Sequence, residues 1–147
     1  MTTASSFLSK SEKQEIALTI HEAEQQTRGE IRVYIEKKCK IDVMQRALKV
    51  FHQLNMHHTK ERNGVLIYVA YADHVFAILG DKGIHEKVPD NFWDDVKELL
   101  TKNFAEEKFT EGIKQAILMC GDHLKKHFPA KEKDINELSD EVEFGNE

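Results

Sequence analysis

Apolar and polar positions divide the chain into seven segments of alternating period. Ile16, Ile20 and Ala23 recur at helical spacing behind a capping box, with Ser9 as cap and Glu12 three residues on, and Gly29 closes the segment. "EIRVYIE", residues 30–36, sets Ile31, Val33 and Ile35 against Arg32, Tyr34 and Glu36, which predicts a strand. Asp42 caps a second helix with a stripe of Val43, Met44, Ala47, Leu48, Phe51 and Leu54. "NGVLIYVA", residues 63–70, is almost wholly apolar, as a strand buried on both faces requires. "YADH" links it to "VFAILG", residues 75–80, and so short a link permits only an antiparallel hairpin. A helix from about Asp90 to Phe104 turns Phe92, Trp93, Val96, Leu99 and Leu100 inward. The last begins near Thr110, carries Ile113, Ala116, Ile117, Cys120 and Leu124, and stops before Pro129.

The order α-β-α-β-β-α-α contains a βαβ unit followed by a hairpin. It predicts a small mixed sheet with helices on both faces. Residues 1–130 form the single domain. Residues 131–147 hold two Lys and seven acids, which accounts for the whole net charge of -5. That segment has few large apolar groups and is expected to be a flexible acidic tail, dispensable for folding. The neutral body argues against nucleic acid as a partner. No apolar run is long enough to insert in a bilayer, and the N-terminus lacks the basic start and apolar core of a secretory signal. Two cysteines make no disulfide framework, so a reduced, cytoplasmic protein is expected.

The topology brings oxygen ligands together. Parallel strands one and two begin at the same edge of the sheet, and the antiparallel third strand ends there. Glu30, Asn63 and Asp81 therefore meet from distant positions. On a helical wheel Asp94 borders the apolar stripe and leans back over this end, while Asp95 points away. Clustered carboxylates without nearby cations either raise one another's pKa or recruit a cation, and oxygen donors suit Ca²⁺ or Mg²⁺. The structural alternative is a turn at Asp81-Lys82, a helix cap at Asp90 and a solvated Glu30. A third reading of "GDKGIHEKVPDNFWDD", a phosphate-cradling loop, lacks the known motifs: neither G-x-x-x-x-G-K-[ST] nor G-x-G-x-x-G is present, so a simple turn is favoured over backbone amides that hold an anion. Neither cysteine has an Arg at the spacing of a thiol phosphatase loop. His123 and His127 share a helix face, but "HLKKH" lacks the Glu of a zinc protease motif, which leaves an exposed pair. His52, His57 and His58 near a helix end are explained by the helix dipole.

"GEIRVYIE", "NGVLIYVAYADHVFAILGDKGI", "FWDDVKELLTKNFAEEKFTEGIKQAI" and "KKHFP" together resemble the TPM domain family, over about residues 9–129. The F-x-x-G pattern is Phe109-Thr110-Glu111-Gly112 here. The resemblance implies a three-layer α/β/α sandwich, often with a divalent ion held by acids at one sheet end. It implies Glu30, Asp81 and Asp94 as ion-binding acids, with Asn63 as a fourth ligand. Acid-phosphatase activity is attributed to a plant branch, and other members are membrane-associated. The expectation is a stand-alone, divalent-cation-binding, non-catalytic interaction module acting with a membrane-associated protein. A metal-dependent phosphomonoesterase is the alternative. No nucleophile is evident, and substrate and oligomeric state are not written in the sequence.

Overall fold

The computed structural model describes residues 7–130 and 143–145. Helix α1 (Lys10–Glu24) opens with the expected capping box: Glu12 N–H donates to Ser9 Oγ at 3.0 Å, and Ser9 N–H to Glu12 Oε1 at 2.9 Å. Strand β1 (Glu30–Glu36), helix α2 (Val43–Gln53), strand β2 (Gly64–Ala70) and strand β3 (Val75–Gly80) follow. A single 3-10 turn, Met56–His58, lies between α2 and β2. Then come the short helix α3 (Lys82–His85), α4 (Asp94–Ala105) and α5 (Phe109–His127). The strand order is β3-β2-β1-β4, with β2 parallel to β1 and antiparallel to β3.

Alternation along the strands sends two apolar sets to opposite faces. Ile31, Val33, Ile35, Val65, Ile67 and Val69 pack under α1, α4 and α5. Tyr34, Leu66, Tyr68, Ala70 and Ala77 pack under α2. The result is the three-layer α/β/α sandwich with helices on both faces. Its thick side takes three helices because β1 and β2 present only branched aliphatics there. Gly112 in the F-x-x-G pattern brings α5 against α4: a Cβ at that position would lie 2.7 Å from Asn103 Cβ.

Three local readings change. β1 is buried along its whole length, including Glu30, Arg32 and Glu36. Its polar residues are paired rather than solvated: Glu36 accepts from Arg46 Nε at 2.8 Å, Arg46 Nη2 at 2.9 Å and the Tyr68 hydroxyl. Residues 82–85 form a helical turn, and α4 starts at Asp94 instead of Asp90. On α2, Met44 and Leu48 are exposed, so the buried stripe is narrower than the sequence pattern.

The outer edge of β1 is closed by side chains and by a distant segment. Ile31 N–H donates to Glu24 Oε2 at 2.8 Å, and the Ile31 carbonyl accepts from Arg32 Nη1. Further along, β4 (Glu143–Phe144) pairs in parallel with Tyr34 and Ile35, and Gly145 N–H donates to the Ile35 carbonyl at 2.8 Å. Most of the expected flexible tail, residues 131–142 and 146–147, lies outside the described residues. The described residues 143–145 are edge-strand structure, anchored by Phe144 against the larger core cluster.

Candidate functional site at the sheet end

Strand register places Glu30, Asn63 and Asp81 at one end of the sheet. Glu30 is level with Gly64, Glu30 N–H donates to the Asn63 carbonyl, and Asp81 N–H donates to the Gly64 carbonyl at 2.9 Å. All three side chains are buried. The backbone convergence is the one the topology predicts.

The side chains do not form a common pocket. Glu30 and Asp81 flank β2 on either side, so their backbones stand about two strand spacings, roughly 10 Å, apart. Gly64 separates them, and Met56 fills the space above it: a Cβ on Gly64 would lie 3.2 Å from the Met56 carbonyl oxygen and 3.7 Å from Met56 Cβ. Met56 is fully buried. Asn63 turns its amide away, with Nδ2 donating to the Arg28 carbonyl at 3.2 Å. Asp94 is exposed at the start of α4, whose apolar residues pack on the opposite face of the sheet. The neighbouring Asp95 pairs with His123 Nε2 on α5 at 2.8 Å.

Each buried acid already has a cation. Arg62 Nε and Nη2 lie 2.7 Å and 3.0 Å from the two oxygens of Asp81. The Asp81 carboxylate raises the Arg62 pKa, mainly through those hydrogen bonds. Arg32 Nη2 reaches Glu30 at 3.4 Å, and its Nη1 reaches Glu24 at 2.9 Å. Arg28 and Glu61 pair beside them, with Nε to Oε2 at 2.8 Å. The premise of carboxylates without nearby cations therefore fails at Glu30 and Asp81. Among the described residues, no three His, Cys, Asp or Glu side chains come together as a metal-holding group. With the guanidinium groups in place, Glu30, Asn63, Asp81 and Asp94 do not gather into one shared set of donors.

Arg32 and Arg62 are the residues the sequence reading missed. Arg32 stands two positions after Glu30 and thus on the same strand face, a signal that period-two reading supplies. Arg62 had no such signal. It lies two residues before β2 with φ 51°, in the left-handed region, and only the fold brings it to Asp81. Gly83 explains part of that placement. Its φ is not positive, so no special turn requires it, but a Cβ would lie 2.1 Å from the Glu61 carbonyl oxygen and 2.6 Å from that of Arg62. Gly83 N–H also donates to the Arg62 carbonyl at 2.9 Å.

The other candidate groups are equally occupied. Cys120 is fully buried, and burial pushes its thiol well above the ordinary range, so no thiolate forms there near neutral pH. His123 and His127 are not an exposed pair: their rings lie 4.6 Å and 5.6 Å from Phe92. His57 packs between His52 and His58, with ring centroids 4.5 Å and 4.1 Å away. Burial and these two neighbours hold its pKa below the usual histidine value.

The layer order, the parallel β1–β2 pair with its β3 hairpin and the F-x-x-G contact define a small α/β domain of one recognisable class. A family model for the TPM domain matches residues 1–123, and the chain belongs to that family. Among solved structures, the chain is similar to the BA42 protein of the psychrophilic bacterium Bizionia argentinensis, with 45% identity and a TM-score of 0.90 over 95% of this chain and 96% of that one. Two further structures share the fold. One is the N-terminal domain of the cg2496 protein of Corynebacterium glutamicum, with 11% identity and a TM-score of 0.66 over 89% of this chain and 82% of that one. The other is an N-terminal domain from P. gingivalis, with 16% identity and a TM-score of 0.66 over 82% and 78%. No curated protein matches the chain. No helix among the described residues is long and apolar enough to cross a membrane.

Proposed function

We propose that this TPM domain is a non-catalytic binding module that responds to a divalent cation by exchanging Arg62 for the ion at Asp81. One observation carries the reading. The Asp81 side chain is 6% exposed, while the Arg62 side chain that neutralises it is 35% exposed. The acid is fixed by the fold, and its counter-charge can turn out to solvent. An ion at this position must displace the guanidinium, so affinity is set by competition and is weaker than in an open carboxylate site. Ca²⁺ is favoured over Mg²⁺, because it tolerates irregular oxygen geometry.

The test is a Ca²⁺ and Mg²⁺ titration of the wild type, Arg62→Gln and Asp81→Asn, followed by amide shifts and melting temperature. The expected result is localised shifts around residues 62–64 and 80–82, larger in Arg62→Gln and absent in Asp81→Asn. At an ion concentration about 100 times the dissociation constant, the folded state gains roughly 2.7 kcal/mol. No localised shift in either the wild type or Arg62→Gln removes the cation from the reading. The alternative, a metal-dependent phosphomonoesterase, requires ion-dependent turnover of a generic phosphate ester that Asp81→Asn abolishes. The module reading expects no turnover above background.

A further inference from the structure

We infer that His52, at the end of α2, and His57, on the 3-10 turn that follows, form a binding site for a divalent transition metal, Zn²⁺ or Cu²⁺, distinct from the carboxylate of Asp81. The spacing of the two rings and one unsatisfied atom point to it independently.

The backbone brings the rings together. Helix α2 ends at Gln53, and Asn55 takes φ 58°, in the left-handed region that Asn tolerates. Asn55 N–H donates to the His52 carbonyl at 3.0 Å, and His58 N–H donates to the Asn55 carbonyl at 3.1 Å. Met56, fully buried, pins the turn to the core. The chain thus reverses and returns His57 to His52, with ring centroids 4.5 Å apart. Two imidazoles on one ion need such a spacing: with metal–nitrogen bonds of about 2.0–2.1 Å, set between a right angle and a tetrahedral one, their centroids stand about 4.5–5 Å apart. The rings meet at 63°, edge to face, so binding asks for ring rotation rather than a backbone shift. His52 is exposed and free to turn.

The second observation lies on His57. Its Nδ1 is buried and has no hydrogen-bond partner among the described residues. A buried polar atom left unpaired costs stability. A metal bond to Nδ1 satisfies it, while Nε2 carries the ring proton. The ring is also held in the neutral form that ligates: burial first, then His58 and His52, lower its pKa. Arg62 and Asp81 act on it with opposite signs, so that ion pair leaves little net field against a cation.

Imidazole nitrogen selects the class of ion. It suits Zn²⁺ and Cu²⁺, whereas Ca²⁺ and Mg²⁺ take oxygen. Among the described residues no group of three His, Cys, Asp or Glu ligands is present, so the protein supplies two nitrogens and water fills the remaining positions.

The test titrates Zn²⁺ into the full chain, followed by calorimetry and by amide and imidazole shifts, with Cu²⁺ broadening as a second readout. The expected result is one site whose shifts and broadening centre on residues 52–58, with excess Ca²⁺ unable to displace the ion. His52→Gln and His57→Gln should each weaken it about tenfold or more, because each removes one arm of a chelate. His52→Gln changes an exposed position, so it keeps the test valid if His57→Gln disturbs the turn. Affinity should fall as pH drops from about 7 to about 5.5, where protons compete for imidazole. The inference is overturned if millimolar Zn²⁺ gives no localised shift at 52–58, or if His52→Gln binds as tightly as the wild type. Displacement by Ca²⁺ also overturns it, and assigns the ion to Asp81.

Discussion

The two edges of the sheet are treated in opposite ways. At β1, Glu24 takes the Ile31 N–H, Arg32 takes the Ile31 carbonyl, and β4 with Gly145 covers Tyr34 and Ile35. At β3, the outward backbone groups of Phe76 and Ile78 meet no other described segment. Sealing an edge with charged side chains has a cost: Arg32 and Glu24 are only 3% and 9% exposed. Burial of both is tolerated because each satisfies the other and the backbone at once. The charge concentrated near the start of β1 thus has an architectural explanation.

The strongest way to break the contrast is Arg32→Ala. It removes the guanidinium that Glu24 and Glu30 share in the interior and the donor to the Ile31 carbonyl. A loss of about 3–5 kcal/mol is expected in urea unfolding. A loss below about 1 kcal/mol would mean that the edge is held by other contacts. Phe144→Ala removes the anchor of β4, over which Lys13 Nζ sits 4.9 Å from the ring centroid. The expected loss is about 1–2 kcal/mol, less than for a fully buried Phe, with faster amide exchange at Ile35. Unchanged stability and exchange would assign the sealing of β1 to Glu24 and Arg32 alone.

Glu12→Gln addresses how firmly α1 is held while its other end caps β1. The Glu12 carboxylate accepts from the Thr110 hydroxyl and the Ser9 N–H, and these bonds, Thr110 first, hold its pKa below the usual glutamate range. A depressed folded-state pKa stabilises above the unfolded value and is lost as pH falls through the folded one. The substitution should remove about 1 kcal/mol at neutral pH. The difference from wild type should shrink below about pH 4. A difference that persists undiminished at pH 2 would show that the charge is not involved. The smallest effect belongs to α2, which packs over the open edge. Leu48→Glu should shift stability by no more than about 0.5 kcal/mol. A larger loss would place Leu48 in the core of the monomer.

Much of the fold was legible because each segment has one dominant period. Ile16-Ile20-Ala23, the uninterrupted 64–70 run and the four-residue hairpin link left few alternatives for α1, β2 and β3. The meeting of Glu30, Asn63 and Asp81 at one sheet end followed from topology alone. What topology does not carry is the side-chain partner. Arg62 reaches Asp81 from a left-handed backbone position, and Met56 separates the two acids from a single 3-10 turn. Neither feature has a periodic signature. Met44 and Leu48 belong to the apolar stripe of α2, and such a stripe looks the same whether or not the sheet is wide enough to cover it. β4 was missed because two residues in an acidic context carry no strand pattern.

The glycine of Phe109-Thr110-Glu111-Gly112 works as a spacer of fixed length. It has no side chain to offer chemistry, and what it sets is how near the axes of α4 and α5 can lie, with Asn103 filling the gap where a methyl group would be. A segment that helps mark the family in the sequence is therefore a measure of distance between helices.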